Sequence, residues 1–413
     1  MEGSHFFAAF FDKMKILESY DQAIQIAKEC LQNKKPFKKC KLSNPPPQVH
    51  GPWKQTDQAA ENTLKYIFEK LHHSCYMLCI SGKHELYKLE SSTTSPAFKT
   101  AFTKLNKTIK ADKRKILLKT LKSKQWRVMQ CIVKPYRKGT ATVEYPRFLE
   151  GLELPDGVYI LNLTDAVILR EDGNEPWPMV TGMKSLGEYN FKEHLPILSS
   201  SGQVGYWDVP IPNYDDIRFT LGYDKIGVPE LDWTQKKGVA VFRGGPTGCG
   251  YTVQTNMRLK LASMKSDLLD VGIVENKSNT LKFDPKDGLG LLDTTQKKVG
   301  FLDLITEQSK YKYIIHVDGN VAAYRLLKSM LTGSVILRVK SEYTIWADHL
   351  LKDGVHYISV TPDLSNLDEV LQWCIANDKK CKKIAEQGLK FAQNVLELPF
   401  LQTYFKSLLC MVS

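Results

Sequence analysis

The chain has 413 residues and a formal net charge of +12, and 43% of its residues are hydrophobic and 25% charged. This composition is typical of an ordinary globular protein, and the length allows two or three domains with sizeable cores. No apolar run is long enough to cross a bilayer, so we expect no transmembrane segment, and the lysine excess indicates an anionic partner.

The first sixty residues predict a peripheral arm. A helix is expected over residues 19–31, followed by a lysine-rich stretch and a proline run at 45–47, and such proline runs are typical of linkers. The apolar patch near the N-terminus has no basic region before it, so we expect mature protein rather than a signal peptide. We therefore assign residues 1–60 to a helical arm and a Pro-rich linker.

A helix over residues 57–72 and a strand over 75–81 are predicted next. Cys75 and Cys79 lie in that strand, but no second pair of Cys or His follows at the spacing of a zinc site. A helix end that runs into a buried strand explains the pattern. We predict no metal ion.

Residues 104–124 are densely basic, with apolar residues at roughly helical spacing. This segment could face a nucleic acid or an anionic surface. The alternative is one amphipathic helix that packs on a domain and leaves its lysines in solvent. No aromatic residue interleaves with the lysines to stack bases, which weakens the nucleic-acid interpretation.

The first alternating unit begins with a predicted strand over 126–133 and continues to a stronger one, GVYILNL, over 157–163. This second strand ends just before Asp165. A carboxylate at the carboxyl end of a buried strand is partly withdrawn from water, which makes Asp165 a candidate general base. The alternative is that Asp165 only caps the next turn. Asp172 and Asp208 are the next carboxylates to consider.

A second alternating unit begins with a strand over 238–242 that runs directly into RGGPTGCG at 243–250, and a helix over 256–264 follows. A glycine-rich turn after a strand lets backbone N–H groups approach a phosphate closely. The turn is neither a Walker A loop nor a GxGxxG fingerprint, and its glycines could equally serve a tight turn. Arg243 and Arg258 flank it, and the planar guanidinium suits phosphate oxygens.

The stretch that follows Tyr311 predicts a parallel βαβ unit: a buried strand over 313–317, a turn at Asp318-Gly319, a helix over 320–331 and a second buried strand. The turn lies at the carboxyl end of the first strand, where open α/β sheets bind ligands. The helix would offer unpaired N–H groups and a positive dipole end to an anion. With Arg325 in its second turn, this unit predicts a site for a phosphorylated ligand.

Several stretches of the second half resemble, in order and spacing, glycosyltransferase family 90, the capsule-associated-protein and Rumi-like protein O-glucosyltransferase family. Upstream the resemblance is thinner: LNLTD stands where the family has its N-x-x-D strand end, and PILSSSG resembles its P-x-F-S-x-S segment. The matching stretches of the second half are FRGGPTG at 242–248, NMRLKLA at 256–262, DVGIV at 270–274, KYKYIIHVDGNVAAYRLLKSMLTGSVIL at 310–337, LLKDGVHYISV at 350–360, DLSNLDEVLQW at 363–373 and AEQGLKFAQNVL at 385–396.

The resemblance implies an α/β fold of the GT-B type, in which two Rossmann-like domains face a cleft. It implies an inverting, metal-independent transfer of glucose or xylose from a UDP-sugar, with no other cofactor, to a hydroxyl of a protein or glycan acceptor. Asp165 takes the general-base position. The donor-binding positions that carry over are Arg243, Gly244, Thr247, Arg258, Asp318, Gly319, Asn320, Val321, Ala322, Ala323, Tyr324 and Arg325.

With this resemblance the domain limits follow. After the arm we expect an acceptor-side domain over 61–230, a nucleotide-sugar domain over 231–385 and C-terminal helices over 386–413 that pack back towards the first domain. The chain departs from its relatives where Ala166 and Val167 follow the catalytic aspartate and where Gly245-Pro246 occupies the glycine-rich loop.

Two functions therefore stay open. The first is an active glycosyltransferase. The second is a catalytically inactive relative that binds nucleic acid or an anionic assembly through its basic surface. Because no signal peptide or retention tail is visible, we expect a cytoplasmic setting, such as that of a large DNA virus that glycosylates its own products.

Overall fold

The computed structural model divides into two compact units. Unit 1 comprises Met1–Tyr214 and Gln402–Ser413, and unit 2 comprises Asp215–Leu401. The domain limits predicted from the sequence stay predictions. The basic segment predicted over residues 104–124 lies outside the described part of the chain, except for residues 106 and 107. The structure describes residues 14–37, 47, 49–70, 75–90, 103, 106–107, 126–129, 132–135, 144–174, 192–223, 231–274, 281–284, 288–293 and 298–413.

The strands are numbered here in chain order. Those of unit 1 are β1 (Ile16–Leu17), β2 (Cys75–Ile80), β3 (His84–Leu89), β4 (Trp126–Met129), β5 (Ile132–Pro135), β6 (Gly157–Asn162), β7 (Ile197–Ser199), β8 (Gly202–Gln203) and β9 (Val209–Pro210). Those of unit 2 are β10 (Lys237–Gly244), β11 (Leu269–Val274), β12 (Leu281–Asp284), β13 (Gly288–Leu291), β14 (Lys298–Val299), β15 (Tyr311–His316), β16 (Val335–Val339), β17 (Tyr343–Thr344) and β18 (Ile358–Val360).

The helices are α1 (Tyr20–Gln32), α2 (Asp57–Lys70), α3 (Glu144–Leu149), α4 (Tyr214–Thr220), α5 (Met257–Ser263), α6 (Leu326–Met330), α7 (Leu367–Ala376), α8 (Asp378–Val395) and α9 (Leu398–Val412). Short 3-10 turns lie at Trp233–Gln235, Gln308–Lys310 and Asp348–Leu350. None of the helices in the described ranges is by itself long and apolar enough to cross a membrane, although α8 and α9, bent by 70°, pass that test as a pair.

Unit 1 is built on a mixed sheet. Within the described residues its strand order is β1-β3-β2-β6-β7-β9. Strand β2 pairs antiparallel with β3 and β6, whereas β6, β7 and β9 run parallel. Every residue of β2 and β6 is buried, as expected for central strands covered on both faces.

Unit 2 is built on a parallel sheet with the order β14-β11-β10-β15-β16-β18 among the residues that the structure describes. Counted along the chain, this order is 3-2-1-4-5-6, that of a doubly wound dinucleotide-binding sheet. Buried residues of the central strands, such as Phe242 and Ile315, share one hydrophobic core with α5 and α8. The predicted α/β class is therefore confirmed.

Two predicted elements are wrong in detail. The strand expected over 126–133 is instead an antiparallel pair, β4 and β5. The helix expected over 320–331 is only the short α6. The reason is local: Asp318 Oδ1 accepts the N–H of Ala323 at 2.8 Å, and the N–H of Gly319 donates to Val321 O at 3.0 Å. A side-chain acceptor that binds nearby N–H groups competes with helix formation.

Lys236 ties three strand connections of unit 2 together. The side chain is 6% exposed, and its Nζ donates to Ser309 O at 2.7 Å, Thr332 O at 2.8 Å and Ser334 Oγ at 3.1 Å. These acceptors precede β15 and β16. One buried ammonium group thus satisfies acceptors that would otherwise lie unpaired inside the protein.

We expect Lys236→Ala to lower the free energy of unfolding by about 3 kcal/mol, because buried acceptors lose their donor. Urea denaturation followed by tryptophan fluorescence measures the change. The matched control is Lys237→Ala, because the Lys237 side chain is exposed and lies over the Tyr311 ring. We expect this variant to lower the free energy of unfolding by less than about 1 kcal/mol. Equal effects of the two variants would contradict this role of Lys236.

Candidate functional site

The candidate site of unit 2 lies where its sheet changes winding direction. Strands β10 and β15 are neighbours in the sheet, with β11 on one side and β16 on the other. Connections that leave such a pair of strands in opposite directions open a crevice at their carboxyl ends, where doubly wound sheets bind ligands. The glycine-rich loop follows β10 and the segment 318–325 follows β15. The structure therefore places these two predicted donor-binding segments side by side.

Arg258 joins the two segments. Its side chain, on α5, is 8% exposed. Nη1 donates to Gly245 O at 3.1 Å, while Nε and Nη2 donate to Asp318 O at 3.0 Å and Val317 O at 2.8 Å. Because the guanidinium is planar and rigid, these three bonds fix the distance between the ends of β10 and β15.

The two segments also touch directly at their glycines. A Cβ on Gly319 would lie 2.5 Å from Thr247 Oγ1 and 3.2 Å from Arg258 Nη2, so this close approach requires glycine. Gly248 has a φ of +106°, and its N–H donates to Asn320 Oδ1 at 3.0 Å. Thr247, Gly319 and Asn320, all predicted from the sequence, therefore form one contact surface.

Two residues that sequence reasoning missed hold the carbonyl groups of the glycine-rich loop. Asn256 caps α5 through Oδ1, and its Nδ2 donates to Thr247 O at 3.3 Å and to Gly250 O at 3.2 Å. Buried Lys282 donates from Nζ to Gly248 O at 2.9 Å. An asparagine at the start of a predicted helix is a signal that could have identified Asn256 as a cap, whereas Lys282 belongs to no motif.

Arg325 supplies positive charge at this crevice. Its Nη1 donates to Arg243 O at 2.7 Å, and the guanidinium lies 5.6 Å from the Phe242 ring centroid, with Arg258 at 5.8 Å from the same ring. Nη2 is buried and finds no hydrogen-bond partner among the described residues. Burial lowers the pKa of Arg325 to about 10, so the side chain stays protonated at neutral pH. A buried donor of this kind suits an anionic ligand.

The Arg243 side chain is engaged elsewhere. Its Nη2 pairs with Asp270 Oδ1 at 2.5 Å, and Nη1 donates to Asp270 O at 2.7 Å and Phe242 O at 3.0 Å. The Tyr311 hydroxyl donates to the same carboxylate. The structure thus places the Arg243 guanidinium on β11, with its charge balanced by Asp270. Gly244 is the last residue of β10, and a Cβ there would meet the Phe242 ring at 2.9 Å.

Asp318 organises the rest of the predicted donor segment. Besides the N–H of Ala323, its carboxylate accepts the hydroxyl of Ser341 and lies 3.6 Å from His316 Nε2. Burial alone would raise the pKa of Asp318, but the contacts with His316, Ser341 and the Ala323 N–H lower it overall. Val321 and Ala322 are buried and Tyr324 is half-buried, so the first two can offer a ligand little beyond their backbone.

Asp165 lies in unit 1, half-buried, three residues after β6. The Asn162 side chain brackets it: Oδ1 accepts the Thr164 hydroxyl at 2.7 Å, and Nδ2 donates to Ala166 O at 2.6 Å. Asp172, the second candidate base, pairs with Arg170 at 2.5 Å, and this contact holds the pKa of Asp172 well below its usual range. A paired carboxylate of low pKa is a poor general base.

Asp208, the third candidate, is 5% exposed, and backbone N–H groups donate hydrogen bonds to its carboxylate. Its oxygens accept the N–H of Ile168 at 3.0 Å and of Leu169 at 2.8 Å, and the hydroxyl of Ser199 at 2.6 Å. Burial raises the pKa of Asp208 to about 6 despite these bonds. Its hydrogen bonds make Asp208 a support of residues 163–169, which we call the Asp165 segment, rather than a base.

The part of the chain that the structure describes contains no group of three or more His, Cys, Asp and Glu residues able to hold a metal ion. Cys75 and Cys79 are both buried in β2.

Comparison with known proteins decides the family. The model of glycosyltransferase family 90 matches residues 174–412, more than half of the chain. The chain belongs to this family. The match covers every donor-side residue described above, whereas Asp165 lies just before it.

Several proteins resemble this family 90 member. Uncharacterized protein 035R of Invertebrate iridescent virus 3 is 32% identical over 274 residues, which cover 60% of this chain and 24% of the viral protein. Protein O-glucosyltransferase 3 of Mus musculus is 32% identical over 222 residues, 51% of this chain and 41% of the mouse protein. The chain therefore spans less than half the length of these relatives.

Among solved structures, Anabaena HepE in complex with UDP-glucose has a TM-score of 0.30 and 16% identity over 48% of this chain and 52% of that chain. A similarity of this size carries no argument about the site.

The Asp208 carboxyl should make stability depend on pH. Its pKa is raised in the folded protein, so the folded state holds the proton more tightly, and the stability this contributes is lost as pH rises from about 4 to about 6. We expect the stability of the native protein relative to Asp208→Asn to fall by up to about 3 kcal/mol between pH 4 and pH 7. Urea denaturation of both proteins at the two pH values measures this, and a difference that does not change with pH would contradict it.

Proposed function

We propose that this family 90 member is an inverting, metal-independent glycosyltransferase that moves a sugar from a UDP-sugar to a hydroxyl group of a protein or glycan. The observation that carries the proposal is the crevice at the ends of β10 and β15. There Arg325, with its buried Nη2, lies beside Arg258 and a glycine-rich loop whose carbonyls are bound from within. A diphosphate is the anionic group that such an arrangement suits best.

The transfer assigns one task to each group. The acceptor hydroxyl attacks the anomeric carbon while its proton passes to a base, and the bond from that carbon to the UDP oxygen breaks with its electron pair going to the diphosphate. We assign the base to Asp165, because single displacement with inversion needs one carboxylate. Arg325 and the glycine-rich loop stabilise the charge that develops on the departing UDP. These groups supply the positive charge without a metal ion.

The sugar and the acceptor are inferred from relatives. The mouse protein similar to this chain is named a protein O-glucosyltransferase, which favours glucose as the sugar and a protein hydroxyl as the acceptor. Xylose is the alternative sugar. A few pocket side chains decide between such sugars, and one added or missing group in a pocket changes selectivity by about 1–3 kcal/mol.

Incubating the purified protein with a panel of nucleotide sugars, with water as the acceptor of the sugar and with or without EDTA, tests the function. We expect UDP release from UDP-glucose, an unchanged rate in EDTA and a rise in melting temperature with UDP. The inactive binding-module alternative predicts neither UDP release nor a thermal shift. Absence of both with every donor would overturn the enzyme proposal, and a loss in EDTA that Mn²⁺ restores would overturn metal independence.

Replacement of Arg325 should weaken UDP binding. We expect Arg325→Gln to raise the Kd for UDP by about tenfold to a hundredfold, because a charge-assisted hydrogen bond contributes roughly 1.5–3 kcal/mol. Isothermal titration calorimetry measures the Kd. The matched control is Arg218→Gln, since Arg218 lies in α4 over the Tyr223 ring and belongs to neither the glycine-rich loop nor the segment 318–325. An unchanged Kd for Arg325→Gln would rule out its contact with the diphosphate.

Removal of the base should abolish transfer and spare binding. We expect Asp165→Asn to lower kcat by about a hundredfold or more while the Kd for UDP changes less than twofold, since general-base catalysis contributes about 10²–10⁴-fold. Asp172→Asn is the control, because Asp172 is an exposed carboxylate that is paired with Arg170 and lies only a few residues after Asp165. Full activity of Asp165→Asn would show that another group is the base.

A further inference from the structure

A chain of buried polar side chains runs beneath the Asp165 segment. Asn162, Ser199 and Asp208 have exposed fractions of 0%, 0% and 5%. Asn162 Nδ2 donates to Ser199 Oγ at 3.1 Å, and that hydroxyl donates to Asp208 Oδ1 at 2.6 Å. The three residues come from the end of β6, from β7 and from the residue before β9, neighbouring strands of the unit 1 sheet. We call this set the Asn162–Ser199–Asp208 chain.

The Asn162–Ser199–Asp208 chain holds the Asp165 segment at both ends. Asn162 binds the residues directly before and after Asp165, namely Thr164 and Ala166. Asp208 binds the N–H groups of Ile168 and Leu169. The Asp165 side chain therefore projects from a backbone that is fixed on either side.

Further bonds fix the far end of the same segment. Tyr66 donates its hydroxyl to Ile168 O at 2.5 Å, and the Trp207 N–H donates to Leu169 O at 2.8 Å. Ile168 and Leu169 are buried as well. The backbone N–H and C=O groups of Ile168 and Leu169 are thus all hydrogen-bonded, while Asp165 itself is half-buried.

A charged carboxylate in this place needs a reason beyond stability. An apolar or neutral residue would avoid the desolvation of a buried charge, which often costs more than its interactions return. An ionised carboxylate, however, is the acceptor that holds two backbone N–H groups and a hydroxyl most tightly. A catalytic side chain must be held within about half an ångström of its productive position, and supporting hydrogen bonds of this kind commonly hold it there.

Resting on the proposed function, we propose that Asp208, acting through Ser199 and Asn162, is the positioning residue that orients Asp165 towards the acceptor hydroxyl. It touches no substrate. The PILSSSG segment, which contains Ser199, thereby has a role as the link between the buried carboxylate and the base.

The test compares Asp208→Asn with the native protein, with UDP-glucose as donor, water as the acceptor of the glucose and UDP release as the readout. Asparagine keeps the shape of the side chain but turns an amide NH₂ or a neutral oxygen towards the backbone N–H groups. We expect kcat to fall by about tenfold to a hundredfold, because a misplacement of about 1 Å can cost a hundredfold. The KM for UDP-glucose and the thermal shift with UDP should change less than twofold. Asp172→Asn is the matched control and should keep kcat within twofold.

A double variant separates positioning from general structure. If Asp208 acts through Asp165, then Asp165→Asn/Asp208→Asn should be no slower than Asp165→Asn alone, because effects of residues that act as one unit are not additive. Independent, multiplying losses would overturn the proposal, as would a native kcat for Asp208→Asn. If Asp208→Asn fails to fold, Ser199→Ala replaces it in every comparison. It removes one link, and an unchanged kcat for Ser199→Ala would overturn the proposal in the same way.

These outcomes stay separate from failure of the proposed function. Full activity of Asp165→Asn removes the base assignment and the positioning role with it. An inactive Asp165→Asn with a fully active Asp208→Asn removes only the positioning role. Absence of UDP release from the native protein with every donor removes the enzyme itself.

Discussion

The three hydrogen bonds of Arg258 are the constraint on which the candidate site of unit 2 depends. Carbonyl groups beyond a strand end have no ladder partner, and leaving them buried without a donor costs free energy. One guanidinium satisfies Gly245 O, Val317 O and Asp318 O at once. Because these groups follow two different strands, their satisfaction also fixes the width of the crevice. The approach of Gly319 to Thr247 and the bond from Gly248 to Asn320 are possible only at that width.

Both units use a carboxylate as a substitute for regular backbone pairing just after a strand. Asp318 accepts the Ala323 N–H in unit 2, and Asp208 accepts those of Ile168 and Leu169 in unit 1. A side chain that takes such N–H groups holds a segment in a defined, irregular shape instead of a helix or strand. An irregular segment can present side chains and N–H groups that a helix would enclose. The late start of α6 is thus part of how the site is built.

The sequence was sufficient for features with a local cause. Continuous apolar runs predicted β6, β10 and β15, and the turn residues after them predicted where ligands would meet the sheet of unit 2. It could not predict that Arg243 pairs with Asp270, which lies 27 positions further along the chain. That contact depends on the register between β10 and β11, as the support of Gly248 by Lys282 depends on the placement of β12. The error over residues 320–325 has a different, local origin: helical propensity is a weak preference, and the Asp318 carboxylate overrides it by binding the Ala323 N–H.

The comparison of Arg243 with Arg325 shows why residue type alone does not define an anion site. Both arginines stood beside predicted phosphate-binding turns, and both are largely removed from water. The charge of Arg243 is balanced by Asp270, so a diphosphate would have to compete with a carboxylate already in place. Each arginine has one buried N–H group without a hydrogen-bond partner within the described ranges, Nε of Arg243 and Nη2 of Arg325, but the Nη1 of Arg325 donates to a neutral carbonyl and not to a carboxylate. A buried positive charge without an anionic partner lowers the stability of the folded protein, because its desolvation is not compensated. An anion that binds there compensates this cost, so the interaction contributes to ligand binding rather than to folding. Of these two arginines, Arg325 is therefore the one better suited to hold an anionic ligand.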